Sequence, residues 1–400
     1  MRPNRSTSRP PKSSNADILI RLALSIGESG SRLEDNFWEG HLTRQLERQL
    51  NQGSDAAMQA ALEFLYGSEV PEFGQAYDSL AEAIETATES MSMVINGQDH
   101  DVLLIACPVL AWSRASIAAG KISADTLAAL SNQLHAHVLA PNVKLALVEA
   151  LFSPDQMPEG YVAIHRLLRK GAQALAAGAT TVARPDDWPQ AQPFLADSRF
   201  LIGLLAVPAG EALFAWQMVD KRPPRRIDCI DEWKKQGAAA LAPVLSNCAF
   251  EVVEAGAFFN ATRAAEREIR GFSVRASVSF LHMALDIAPP TQTAVVARCQ
   301  DNEYEEYRIG FLRSKDSDVL HGCVWPLLGP EVESTEVPDE IDAALRSAGI
   351  TNIIHIENIL PAEFCPDCGA PMYPNQDGEL LHAELPEEMA DDHGTHRHLH

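Results

Sequence analysis

Cys365 and Cys368 stand three positions apart in Phe364-Cys365-Pro366-Asp367-Cys368-Gly369-Ala370-Pro371, near the end of a 400-residue chain. That spacing, with a glycine directly after the second thiol, makes a tight turn that points both sulfurs at one tetrahedral metal. Two sulfurs leave two ligands to find. His382, about a hairpin's length downstream, is the third candidate, and His396 the fourth, with His393 and His398 as its alternatives. Zinc is the cofactor this donor set favours, and four protein ligands would make it structural. A metal-free turn and a redox dithiol remain open, although Gly369-Ala370-Pro371 disfavours the helix N-terminus on which dithiol enzymes place their pair. With three protein ligands and a water the centre would be catalytic, and Glu379, Glu384 and Glu387 are near enough in sequence to act as base.

A second constellation lies upstream. On the helix expected over 260–270, Arg263, Arg267 and Arg270 share a face, and Arg275 follows soon after, a positive stripe in a negative chain. It would suit a phosphate or carboxylate ligand; the plainer reading is salt bridging to Glu266, Glu268 or the acidic C-terminal region. The chain has no G-x-G-x-x-G, no phosphate-cradling glycine loop ending in Lys-Ser/Thr, no G-x-S-x-G and no H-E-x-x-H. The enzyme classes those motifs define lose their support.

Charge and composition narrow the field further. With 32 Lys and Arg against 55 Asp and Glu, the formal net charge of -23 argues against nucleic-acid binding and against an anionic membrane surface. Residues 331–400 carry 16 of the acids but only Arg346 and Arg397, so the excess is concentrated at the C-terminal end, a solvated surface or a docking face for a protein partner. Seven cysteines, five of them isolated in sequence, read as reduced thiols, and no signal peptide is recognisable. The longest apolar run, Phe200 to Ala209, falls short of the roughly 20 residues that span a bilayer. A cytoplasmic protein is expected.

The elements that must position these residues follow from periodicity. Residues 1–15 form a basic, proline-rich arm without a large apolar residue after Met1 and are expected to be disordered. In 16–95 apolar residues recur at three and four (Ile18, Leu22, Ile26; Leu42, Leu46, Leu50), which predicts packed amphipathic helices. In 96–190, strand, helix, strand, helix suggests crossover units on a largely parallel sheet. Prolines 185, 189 and 193 mark the expected internal boundary. Beyond it, 196–362 reads as an α+β region in which a strand-strand-helix-strand unit occurs twice, on either side of two helices over 260–270 and 273–285. The first copy begins with a hairpin over 200–218 turning at Pro208-Ala209-Gly210-Glu211. Residues 363–400 form the zinc-binding acidic tail. The fold class is therefore mixed α/β, of α+β type: a helical N-terminal part, a sheet-containing core with crossover helices, and a C-terminal α+β unit ending in a zinc-knuckle-like appendage.

The segments Gly30-Ser31-Arg32-Leu33-Glu34-Asp35-Asn36-Phe37-Trp38-Glu39, Pro108 to Arg114, Ala264 to Arg270 and the Cys365 to Cys368 knuckle together resemble a betaproteobacterial family of about 400 residues described only as a domain of unknown function. The resemblance spans almost the whole chain. It implies a bacterial cytoplasmic protein and supplies no activity, substrate or catalytic residue. The residues themselves favour a non-catalytic binding, assembly or regulatory protein, homo-oligomeric, with a structural zinc. The alternative is a metal-assisted hydrolase or another enzyme acting on a small anionic substrate.

Overall fold

The computed structural model describes residues 14–67, 71–113, 116–184, 189–191, 195–219, 222–301, 305–313, 318–329, 331 and 336–384. Residues 1–13 of the expected basic arm and the end of the acidic tail lie outside them, while Ser14 and Asn15, expected in the arm, open the first helix. The chain opens with α1 (Asn15–Gly27), α2 (Arg32–Gln52), α3 (Ala56–Tyr66) and α4 (Pro71–Glu89). Ser14 starts α1 in a reciprocal box with Asp17, and the Ser31 hydroxyl accepts from the Glu34 amide at the start of α2. One core closes on Leu42, Leu46 and Leu50, Met58, Ala61 and Leu65, Leu80 and Ile84, to which α1 gives Leu19 and Ala23 in place of the expected Ile18, with Leu22 and Ile26 partly buried at its margin. Each large apolar side chain buried there contributes about 1.5–3 kcal/mol.

The helical part ends earlier than 95. Ser90–Ile95 is a strand (β1), joined to β2 (Gln98–Trp112) through Asn96 and Gly97, both at positive φ (53° and 81°). This is the tight hairpin that an Asn-Gly pair encodes. Next come β3 (Gly120–Lys121), α5 (Ala124–His137), β4 (Lys144–Phe152), α6 (Gly160–Ala176), β5 (Thr181–Val182) and β6 (Ala196–Pro208), followed by α7 (Arg226–Leu241), β7 (Ala249–Val252) and β8 (Gly256–Ala257). All eight strands join one sheet, with β1-β2-β6-β4-β3 as its path.

The expected parallel sheet is not what forms. β2 and β4 do run in the same direction across the α5 crossover, but β6 occupies the place between them and pairs antiparallel with both. Among the described pairings of this sheet only β4 with β5 is parallel. The periodicity of β2 and β4 fixed their burial and not their neighbour. Because side chains alternate along a strand, β2 serves two cores. Ile105, Cys107 and Val109 face α5 and α7, whereas Leu104, Ala106 and Leu110 face α6 and the long helix α8 (Phe258–Leu285).

The expected boundary near 190 and the duplicated unit are also corrected. β6 lies at the centre of the first sheet, β7 pairs with β2, and residues 212–218 hold a 3-10 turn over Ala215–Gln217 in place of a strand. The two helices expected over 260–285 are one, continuous through Gly271.

The second sheet starts only after α8: β9 (Gln292–Gln300), β10 (Glu305–Arg313), β11 (His321–Pro326), α9 (Val337–Ser347) and β12 (Asn352–Pro361), ordered β11-β10-β9-β12. Val274, Val278, Phe280 and Leu281 of α8, with Ile341 and Leu345 of α9, cover one face of it. The short hairpin β13 (Tyr373–Pro374) and β14 (Leu380–Leu381) completes the described chain. No described helix is long and apolar enough to cross a membrane.

Carboxylates fasten the helical bundle to the sheet layers by capping helices. Asp55 accepts from the Val162 amide (2.9 Å) in the first turn of α6, and Glu89 from the Phe259 amide (2.9 Å) in the first turn of α8. Burial pushes the Glu89 carboxyl up to about 7 despite that amide. A folded carboxyl raised above its unfolded value near 4.5 holds a proton that the unfolded chain has released, so stability is lost as pH rises from 4.5 to about 7. Urea unfolding at pH 5 and pH 8 should show the wild type losing on the order of 1–3 kcal/mol more than Glu89→Gln over that interval; equal pH slopes would remove Glu89 as the cause.

Candidate metal centre

The segment after β12 folds back on itself in a turn that contains Cys365 and Cys368. Met372 N–H donates to the Glu363 carbonyl (3.1 Å), Cys365 N–H to Ala370 (2.7 Å), and Gly369 N–H to Cys365 (2.8 Å). Gly369 closes the turn at φ 75°, a conformation that strains any residue with a Cβ. Backbone amides line the inside of the turn. Those of Asp367 and Cys368 hold the Cys365 thiol below its usual range, as suits a thiolate ligand. The Ala370 amide also favours a thiolate at Cys368, but burial and the neighbouring Cys365 outweigh it and push that thiol up.

His382, just beyond β14, brings Nε2 to 3.3 Å from Cys368 Sγ. One ligand atom each from Cys365, Cys368 and His382 lie within 4.8 Å of one another, the only such group among the described residues. A tetrahedral zinc with Zn–S of about 2.3 Å and Zn–N of about 2.0 Å spaces its ligands by roughly 3.5 Å, a spacing the Cys368–His382 pair comes close to. Glu384 Oε1 lies 3.9 Å from His382 Nδ1. His396, with His393 and His398, falls outside the described residues.

What holds this segment in place was invisible locally. Arg308, from the middle of β10, has a fully buried side chain and runs beneath the turn. Its NH1 donates to the carbonyls of Glu363 and Met372 on the two arms, its Nε donates to Glu306 (2.7 Å), and its guanidinium lies 4.9 Å from the Phe364 ring. Gly310 and Gly322 open the sheet face for the hairpin: a Cβ at 310 would lie 2.2 Å from the Pro374 carbonyl oxygen, and one at 322 would lie 2.3 Å from the Tyr373 ring. Tyr373 then packs with Val295, Leu312 and Val319, while the buried Asn375 side chain accepts from the amides of Asp377 (3.0 Å) and Glu379 (2.9 Å) to shape the turn. Strand alternation carried a faint signal, since Glu306, Arg308 and Gly310 interleave with the apolar Tyr307, Ile309 and Phe311.

The arginines of the expected stripe do not converge. Arg263 pairs with Glu85 of α4, Arg275 with Glu251 of β7, and the buried Arg270 with Glu331 (2.6 Å) while lying 4.9 Å from the Trp325 ring. Arg267 enters through its carbonyl, which accepts from Arg270 Nε (3.4 Å). The acidic C-terminal region thus meets the stripe inside the chain, at Glu331. Arg270 also lines a cavity of about 500 Å³ with Asp197, Ser198 and Glu266. Burial raises both carboxyls there, against the opposing pull of Arg199 on Asp197 and of Arg263 and Arg267 on Glu266.

Gly310→Ala should force the hairpin off the sheet, costing about 1–3 kcal/mol of overpacking. Hydrogen exchange should quicken at the amides of 372–381 and stay unchanged in α1 to α4. Unaltered protection over 372–381 would show that the close approach is not restrictive.

No curated protein and no solved structure matches this chain. One family model does, over residues 4–396, so the described fold and the candidate ligands Cys365, Cys368 and His382 lie within its span. The chain belongs to the family described as protein of unknown function (DUF2863).

Proposed function

We propose that this is a cytoplasmic, non-catalytic binding or assembly protein whose C-terminal segment is locked onto the second sheet by a structural zinc. Cys365, Cys368 and His382 supply three ligands and His396, or a neighbouring histidine, the fourth. The observation that carries this reading is the convergence of the three ligand atoms within 4.8 Å on a segment that itself forms a layer of the fold. That segment contributes few core side chains, Tyr373 foremost, so a metal adds cross-links that packing alone does not provide. The seven cysteines are free thiols, in keeping with a reducing compartment. Leu33, Phe37, Phe64 and Tyr66 are exposed on the N-terminal helices and support self-association.

The enzymatic alternative draws on the cavity beside Arg270, where two partly desolvated carboxyls meet a guanidinium. Against it, Arg270 is already saturated by Glu331 and the Pro326 carbonyl. It has little left to offer an anionic substrate.

Protein purified without chelator should contain about one zinc per chain by elemental analysis. Cys365→Ser should lose it, and so should His396→Ala if that imidazole is the fourth ligand. Chelation should lower the melting temperature of the wild type and leave Cys365→Ser unmoved. Metal-free protein that melts at the same temperature as zinc-reconstituted protein would end the proposal.

A further inference from the structure

The cavity of about 500 Å³ that Arg270 borders lies where the two sheets meet along α8, and it shares no lining residue with the metal centre. Its volume falls in the range of small-molecule sites. β6 supplies Ser198 and Phe200 to its wall, α8 supplies Phe258 and Ile269, and β11 supplies Val324. Nine of its fifteen lining residues are apolar. Such a wall favours an apolar body over water, which needs several polar partners.

The polar groups decide the rest. Ser198 is 6 % exposed, and its hydroxyl, open to the cavity, makes no hydrogen bond among the described residues. Because side chains alternate along β6, Ser198 lies on the α8 side with Phe200, whereas the Asp197 carboxylate is committed to Arg199 and to the Ser198 amide. Arg270 is spent on Glu331 and the Pro326 carbonyl. The Ser273 and Thr262 hydroxyls donate to the carbonyls of Ile269 (2.8 Å) and Phe259 (3.0 Å). Glu266 borders the same space, and the charges of Arg263 and Arg267 pull against the burial that raises its carboxyl. A ligand anion would therefore meet Glu266 and an arginine already engaged; a ligand cation would enter beside the arginines of α8. Neither sign of charge is favoured, and the buried group left unmet is the Ser198 hydroxyl.

We propose that this cavity binds an uncharged, mainly apolar alcohol, its oxygen meeting Ser198 Oγ and its hydrocarbon body lying against Phe200, Phe258, Ile269 and Val324. Such a ligand fits the binding role proposed above and touches no residue of the metal centre, so absence of zinc and absence of alcohol binding are separate results. Because the walls come from both sheets, an occupied cavity holds them together and raises their joint stability.

Fluorescence titration of the full chain with N-phenyl-1-naphthylamine, an uncharged apolar dye, tests this. Saturable one-to-one enhancement is expected. Octanol should displace the dye, whereas octanoate and octylamine at neutral pH should need about tenfold higher concentrations or more. Ser198→Ala should weaken displacement by octanol about threefold or more and leave dye affinity unchanged, as loss of one hydrogen bond predicts. Thr262→Trp, which places an indole in the cavity, should abolish dye binding, with circular dichroism and the melting temperature reporting whether that variant is folded. Should it not fold, the octanol shift in Ser198→Ala decides. No saturable enhancement, displacement by either charged analogue as readily as by octanol, unchanged octanol affinity in Ser198→Ala, or full dye binding by folded Thr262→Trp would each overturn the proposal, the last by assigning the dye to exposed apolar surface elsewhere.

Discussion

One helix belongs to two cores at once. The first half of α8 gives Phe258, Ala261, Ala265 and Phe272 to the face of the large sheet, and the second half gives Val274, Val278, Phe280 and Leu281 to the small one. An α-helix rises about 1.5 Å per residue, so 28 residues make a rod of roughly 40 Å, long enough to underlie both sheets without a break. The relative placement of the two sheets therefore follows from the rigidity of a single hydrogen-bonded element. Its first turn is capped by Glu89 from the bundle and its middle is pinned by Arg270 to Glu331, so all three parts of the molecule meet along it.

The second sheet shows what the candidate metal-ligating cluster would hold in place. A sheet needs both faces covered when both carry apolar side chains. α8 and α9 cover one face of β9 to β11, and the other, with Val295 and Leu312, is covered among the described residues by the segment from Glu363 to Glu384. That segment has two short strands and no helix among its described residues. Its hold on the sheet is polar and steric: Arg308 bridging its two arms, and glycines 310 and 322 admitting its backbone and ring, while Cys365, Cys368 and His382 are drawn together at its tip. Burying an arginine is costly unless its donors are met, and here two carbonyls of the turn meet NH1 while Glu306 meets Nε, so the turn and the arginine depend on each other.

Much of this was readable from residue order. The three-and-four spacing of Leu42, Leu46 and Leu50 gave the bundle, but residues 90–95 were assigned to helix and prove to be the first strand of the Asn96-Gly97 hairpin. The Cys-x-x-Cys-Gly run gave the turn, and the structure brings His382 close to it. Such signals are local, because a helix, a tight turn or a chelating loop is closed by residues within about twenty positions of one another. The arginine stripe was also read from local spacing, but helical periodicity places side chains on a face without saying which acids from α4, β7 or 331 will come to meet them.

What tertiary structure alone decided is which distant segments become neighbours. β2 and β4 look like a parallel pair until β6, about fifty residues later, takes the central place, since a buried apolar strand fits equally well beside either. Arg308 likewise reads as an ordinary strand residue until Glu363 and Met372 arrive above it. Local order fixes conformation and burial through short-range sterics and periodicity; pairing and enclosure depend on long-range closure, in which many apolar segments compete on nearly equal terms and only the assembled core selects among them.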